Sequence, residues 1–157
     1  MLFAHYSTPL GLARIEGDAD GIRAVTITDA PAPLPADTPP ELAPCVQQLA
    51  EYFAGKRTVF DLKLNPQGTD FQKNVWQLLA QVPFGSTRSY LEQARHLGDE
   101  KAIRAVASAN GKNPIWLIIP CHRIVGSNGS LTGYAGGLWR KKWLIEFEKG
   151  SRQGELF

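Results

Sequence analysis

Five of the ten residues from Pro31 to Pro40 are proline. A proline ring fixes φ and removes the backbone donor, so neither a helix interior nor a central strand can run through this stretch. It is a linker or surface loop, and the texture of the chain differs on its two sides. Before it, Leu2–Tyr6, Leu12–Glu16 and Ile22–Thr28 alternate in the strand manner, punctuated by Gly11, Gly17 and Gly21. That pattern predicts a small antiparallel meander.

Beyond the prolines the period becomes helical. Glu41–Phe53 carries Val46, Leu49, Ala50 and Phe53 on one face, with Gly55 as a stop. Phe60–Leu64 alternates and reads as a short extended piece. Thr69-Asp70-Phe71-Gln72 has the form of a capping box, followed by Phe71, Val75, Leu78, Leu79 and Val82 on one face up to Pro83-Phe84-Gly85. Ser89-Tyr90-Leu91-Glu92 is a second such box, opening a helix through Leu97 that stops at Gly98. Asp99 then caps a helix from Glu100 to Asn110, closed by Gly111. Two short helices joined through a glycine-containing turn match a helix-turn-helix. The second is thin: Ala102, Ala105, Ala107, Ser108 and Ala109 surround Arg104. Such a helix suits tight helix packing with a solvated arginine, or the groove of a nucleic acid.

Five apolar residues, Ile115–Ile119, lie between Pro114 and Pro120 and read as a buried extended segment that delivers Cys121 to the end of a core element. Gly126–Gly137 is a glycine-rich loop around Tyr134, and Leu138–Lys149 is an amphipathic closing helix. The expected fold is an α/β N-terminal part with a small antiparallel sheet (residues 1–68, including the 31–40 loop). A mainly α C-terminal domain containing the helix-turn-helix follows (residues 69–157).

At 157 residues, with 43% hydrophobic and 20% charged residues, the composition is that of an ordinary globular chain. No apolar stretch approaches the ~20 residues of a membrane span. The N-terminus lacks the basic start and apolar run of a signal peptide, so a soluble, cytoplasmic protein without membrane partners is expected. The net charge of +2 conceals an asymmetry. Residues 1–85 hold 6 Lys/Arg and 9 Asp/Glu, whereas residues 86–157 hold 11 and 6. A basic C-terminal half suggests that a polyanion docks there.

Two cysteines without paired spacing make neither a zinc site nor, in a reducing compartment, a disulfide. Cys45 borders an apolar helical stripe and reads as a small buried hydrophobe. Cys121, followed by His122 and Arg123, has the cations nearby that a reactive thiolate requires. In an extended chain His122 faces away from Cys121, so a bridging water or a local turn is needed. A histidine base also needs a third group to orient it. On the last helix Leu144, Ile145 and Glu148 share a face, which puts Glu148 at the apolar border, while Glu146 lies with Lys142 on the polar side.

Pro120-Cys121-His122-Arg123-Ile124-Val125-Gly126 together with Gly133-Tyr134-Ala135-Gly136-Gly137-Leu138 closely resembles the signature of the O6-alkylguanine-DNA alkyltransferases, the methylated-DNA–protein-cysteine methyltransferases. The likeness runs densely from Tyr52-Phe53-Ala54-Gly55 to Glu148 and loosely over the N-terminal strands. It implies an RNase H-like N-terminal scaffold and a DNA-binding, active-site C-terminal domain.

The resemblance also implies roles. Cys121 is the single-use alkyl acceptor, His122 the base acting through a water, Glu148 its orienter, and Asn113 the brace of the active-site turn. Tyr90 helps rotate the nucleotide and donates toward guanine N3. Ile124, Tyr134 and Ala135 meet the flipped base. Arg104 fills the gap in the base stack, with Ala102, Ala105 and Arg123 also on the DNA. The implied partner is duplex DNA carrying O6-alkylguanine, bound by a monomer through the minor groove without a cofactor; acceptance of O4-alkylthymine stays open in the sequence. Ala135 departs from members that carry serine there. Cys45 and His5 do not suffice for the structural zinc of some members, so no metal is expected.

Three other readings compete: a non-catalytic protein that flags alkylguanine, a plain helix-turn-helix regulator, and a cysteine hydrolase. The first lacks the acceptor cysteine, the second leaves the Cys121, His122, Glu148, Tyr90 and Asn113 set unexplained, and the third needs an oxyanion site.

Overall fold

The alternating N-terminal segment forms a three-stranded antiparallel sheet, β1 (Leu2–Thr8), β2 (Gly11–Asp18) and β3 (Gly21–Thr28), in that order. These are strands of a computed structural model that describes the backbone of residues 1–155 and the side chains of residues 1–150. Ala13, Ile15, Ile22 and Val25 face the core. The turn into β3 passes through Gly21 at φ +131, where a Cβ would lie 2.8 Å from the Lys63 carbonyl oxygen. Only glycine tolerates both the dihedral and that approach.

The free edge of β3 does not stay open. Ile22 and Leu64 form a parallel bridge, and so do Val25 and Ile115. Phe60–Leu64 therefore contributes one bridge rather than a strand. The helix read as Glu41–Phe53 starts at Ala43, as α1 (Ala43–Phe53), with Pro44 in a first turn that requires no N–H. Its inner face buries Cys45, Gln48, Leu49 and Tyr52. Gln48 exchanges two hydrogen bonds, 2.9 and 3.0 Å, with the backbone of Asp61. Residues Met1–Gln67 and Pro114–Trp116 make up this unit, and Gly68–Asn113 with Leu117–Phe157 make up the other. The short 114–116 segment joins the first unit because its backbone completes the β3 edge, where Trp116 N–H donates to Val25 at 2.9 Å.

In the second unit both capping boxes form. Thr69 and Gln72 close the start of α2 (Asp70–Leu79), and Ser89 and Glu92 close the start of α3 (Tyr90–Leu97). α2 ends before Val82, which is buried in the tighter turn that follows. Gly98 stops α3 at φ +97. The expected Glu100–Asn110 helix is divided into a 3-10 turn, Glu100–Ala102, and α4 (Ile103–Gly111). Gln93 of α3 and Asn110 of α4, both buried, exchange two side-chain hydrogen bonds of 2.8 Å and set the angle between the two helices. Trp76 of α2 ties its indole N–H to the Ala109 carbonyl at 2.9 Å.

The two-residue strands β4 (Arg88–Ser89) and β5 (Ile124–Val125) pair in parallel. That pairing brings the entrance of α3 beside the exit of a 3-10 turn, Cys121–Arg123. The chain closes with α5 (Leu138–Glu155). No helix among the described residues is long and apolar enough to cross a membrane.

Candidate active site

The run Ile115–Ile119 is not extended throughout, as the prolines had suggested. It turns through Trp116–Ile118, and Leu117 adopts φ +72 while wholly buried. A leucine in the left-handed region costs on the order of 1–2 kcal/mol. The conformation persists because the following turn is over-determined by hydrogen bonds. Asn113 donates to the Ile119 carbonyl at 2.7 Å, Cys121 N–H to Ile119 at 2.9 Å, and Arg123 N–H to Pro120 at 3.0 Å. Cys121 and His122 therefore sit in a tight turn rather than in an extended segment.

The same Asn113 amide reaches Cys121 Sγ at 3.4 Å. Burial pushes the Cys121 thiol up, while the Asn113 donation and the charge of Lys141 pull it down. The thiol thus keeps its proton at rest, and a base must remove it. Cys45, in contrast, is wholly buried in α1 and its thiol is pushed up to about 12 by burial, which leaves it inert.

His122 is the base. Its side chain is wholly buried, and its Nε2 lies 2.8 Å from Glu148 Oε2. Arg123 reaches both carboxylate oxygens of Glu148, at 2.8 and 3.0 Å, and donates to the Val82 carbonyl at 2.8 Å. Burial opposes charge on Glu148, but His122 and Arg123 override it and hold the carboxyl well below the usual range. Burial likewise lowers His122, Glu148 acting in the opposite sense, and Arg123 and Lys141 lower it further. The imidazole is therefore neutral. An ionised carboxylate can only accept, so Nε2 carries the hydrogen and Nδ1 holds a lone pair. Nδ1 is buried and meets no protein hydrogen-bond partner.

Arg123 was expected on the DNA. Its guanidinium is instead buried and engaged by Glu148 and Val82, so it cannot reach a phosphate. Ile124, expected against the base, is wholly buried in β5, so its side chain packs the core rather than lining a pocket. Tyr134 is half-buried and Ala135 exposed in the glycine-rich loop. Arg104 and Ala105 are exposed on α4, with Ala102 half-buried in the preceding turn. Ala107 and Ser108 are also exposed, so the small face lies open around Arg104.

The site holds a residue that the sequence reading missed. Lys141, in the first turn of α5, is wholly buried and donates to the Thr132 carbonyl at 2.9 Å. The Tyr90 hydroxyl donates to the same carbonyl at 3.0 Å, with the Lys141 ammonium 5.7 Å over the Tyr90 ring. Burial brings Lys141 down to about 8, the charge of Cys121 opposing. Next to it, Arg140 donates to the Gly136 carbonyl at 2.8 Å. One signal was legible: three consecutive cations, Arg140, Lys141 and Lys142, near a helix N-terminus run against the helix dipole. Among the described residues no group of three or more His, Cys, Asp or Glu is gathered around a common point to hold a metal ion.

Two family models match this chain. The 6-O-methylguanine DNA methyltransferase DNA binding domain matches residues 70–150, and the ribonuclease-like domain of the same methyltransferase matches residues 1–66. The methylated-DNA–protein-cysteine methyltransferase of Methanosarcina acetivorans is 41% identical over 94% of this chain and 98% of its own length. That of Mycobacterium tuberculosis is 52% identical over 71% of this chain and 67% of its own. Among solved structures, Mycobacterium tuberculosis OGT in complex with DNA superposes with a TM-score of 0.86 at 41% identity, covering 95% of this chain and 93% of that one. The O6-methylguanine DNA methyltransferase of Methanococcus jannaschii gives 0.67 at 26% identity over 93% of each chain.

Proposed function

Because the chain belongs to the 6-O-methylguanine DNA methyltransferase family, we propose that it repairs alkylated DNA by moving the alkyl group from guanine O6 to Cys121, once per protein molecule. The observation that carries this reading is the relay of a braced thiol, a buried imidazole with a free Nδ1 lone pair, and an ionised carboxylate on its far nitrogen.

The steps follow from those groups. The lesion leaves the duplex, at a cost of a few kcal/mol of unstacking. Arg104, exposed on the thin face of α4, enters the minor groove and fills the gap, which offsets part of that cost. The Cys121 proton passes through a water to His122 Nδ1, and the imidazolium so formed is stabilised by Glu148. The thiolate attacks the alkyl carbon in line, the carbon–O6 bond breaks, and its electron pair stays on the guanine. The base then takes up one proton, with Tyr90 donating toward N3. The Tyr90 hydroxyl donates to the Thr132 carbonyl in the structure. Base binding therefore exchanges one acceptor for another. The thioether product is a poor leaving group, so no step regenerates the thiol. The protein acts as a monomer on double-stranded DNA.

Incubation with a duplex containing O6-methylguanine, followed by intact mass, tests this. The expected result is one added methyl, mapped to the peptide containing Cys121 and absent in Cys121→Ala. Tight lesion binding without a mass change would assign the chain to a flagging role, and many turnovers per molecule would refute the single-use mechanism.

A further inference from the structure

Lys141 combines three features that ordinary lysines lack: complete burial, a place in the first turn of a helix, and a carbonyl acceptor in the glycine-rich loop that precedes that helix. Buried lysines are rare because desolvating the ammonium is costly, and the dipole of α5 adds to that cost. Neither the core nor the helix favours a cation here. Apolar side chains of similar length would fill the same volume.

Resting on the proposed alkyl transfer to Cys121, we propose that Lys141 is a positioning residue: its ammonium clamps the loop carrying Tyr134 and Ala135 through the Thr132 carbonyl, and α5, packed against the Cys121–Arg123 turn, brings this buried cation to the side of the site that holds the thiol.

The two halves share one atom. Thr132 lies in the glycine-rich loop, where Gly129, Gly133 and Gly137 all have positive φ. The loop is held from beneath by α5 at two carbonyls, Thr132 by Lys141 and Gly136 by Arg140. When Tyr90 gives up the Thr132 carbonyl to meet a base, Lys141 remains as its donor. The loop then keeps its place at the moment a substrate needs it. The charged and titratable groups facing Lys141 are Cys121 and His122 from the 3-10 turn and Tyr90 from α3. Glu148 and Arg123 neutralise each other one step away. Lys141 is thus the cation that acts on Cys121 without a carboxylate of its own among the described ion pairs.

Two substitutions in the full-length protein separate the halves. Lys141→Gln keeps a donor and removes the charge, and Lys141→Met removes both. Because each removes a buried cation, neither should lower the melting temperature, which guards against a folding artefact. The first readout is the pH–rate profile of Cys121 alkylation by iodoacetamide, to which buried Cys45 is silent. Both variants should shift the profile upward by about one pH unit, or roughly tenfold slower reaction at neutral pH. The second is amide exchange over residues 130–137, which should rise roughly fivefold in Lys141→Met, the equivalent of one lost hydrogen bond, and stay near wild type in Lys141→Gln. An unchanged alkylation profile in both variants, or unchanged exchange in Lys141→Met, overturns the proposal. Neither readout uses DNA, so a wild-type protein that fails to accept a methyl would sink the proposed function and leave these results separately interpretable.

Discussion

Replacing Glu148 by glutamine keeps the shape of the side chain and removes its charge at the most heavily hydrogen-bonded point of the site. Glu148 is 1% exposed and accepts 2.8 and 3.0 Å bonds from Arg123, one of 2.8 Å from His122, and a longer one of 3.4 Å from the Gly85 N–H. A glutamine offers one oxygen where two are needed and turns an NH2 toward donors. It leaves the Arg123 guanidinium buried without a counter-charge, for which about 3–5 kcal/mol is the usual loss. In a chain of this size that corresponds to a fall of roughly 6–20 °C in melting temperature. The pH dependence carries the sharper test. The folded pKa of Glu148 is depressed, so its stabilisation is present above the unfolded value of about 4.3 and is lost as pH falls below it. His122 is also lowered in the fold, so the unfolded imidazole takes a proton first and stability begins to fall below about pH 6.5. Wild type should lose stability in two stages on acidification, and Glu148→Gln should lack the lower one. Denaturant melts between pH 3 and pH 8, on the order of one per unit, measure both. A loss under about 1 kcal/mol at neutral pH, or a lower stage that survives the substitution, would refute the assignment of Glu148 as the buried anion that balances Arg123 and accepts from His122.

Three further predictions concern Arg123, Arg104 and the Gln93–Asn110 pair. Arg123→Met should destabilise the protein by about 3 kcal/mol through the orphaned carboxylate, yet leave the salt dependence of DNA binding unchanged. Arg104→Ala should do the reverse, with repair of duplex lesions weakened far more than attack on free O6-methylguanine; filter binding across salt and intact-mass time courses distinguish the two. Gln93→Leu or Asn110→Leu alone should cost about 1–3 kcal/mol by stranding a buried amide, whereas the double substitution should recover most of it. Additive losses in urea melts would show that the pair does not hold α3 against α4.

Much of the local architecture was legible because it depends on neighbours within four residues. Strand alternation, the two capping boxes at Thr69 and Ser89, and the Gly98 stop all formed where the sequence placed them. Expectations weakened where that range was exceeded. Ile115–Ile119 read as a straight buried segment because prolines and apolar residues exclude a helix, but nothing local reveals the left-handed turn at Leu117. The reciprocal Gln93–Asn110 bonds span 17 residues and leave no periodic trace.

The Cys121, His122 and Glu148 set could be named from the chain alone, since the motif and the helical face of Glu148 mark it out. What the sequence could not determine is which charges are buried. Arg123 is next to the reactive cysteine in the chain and reads as a DNA contact. Packing against Glu148, 25 residues away, makes it an internal counter-ion instead. Lys141 reads as one more cation on an amphipathic helix until the fold closes the loop over it and directs it to Thr132. Side-chain chemistry and short-range periodicity are properties of the sequence. Desolvation and the partner it forces on each charge arise only when distant segments exclude water together.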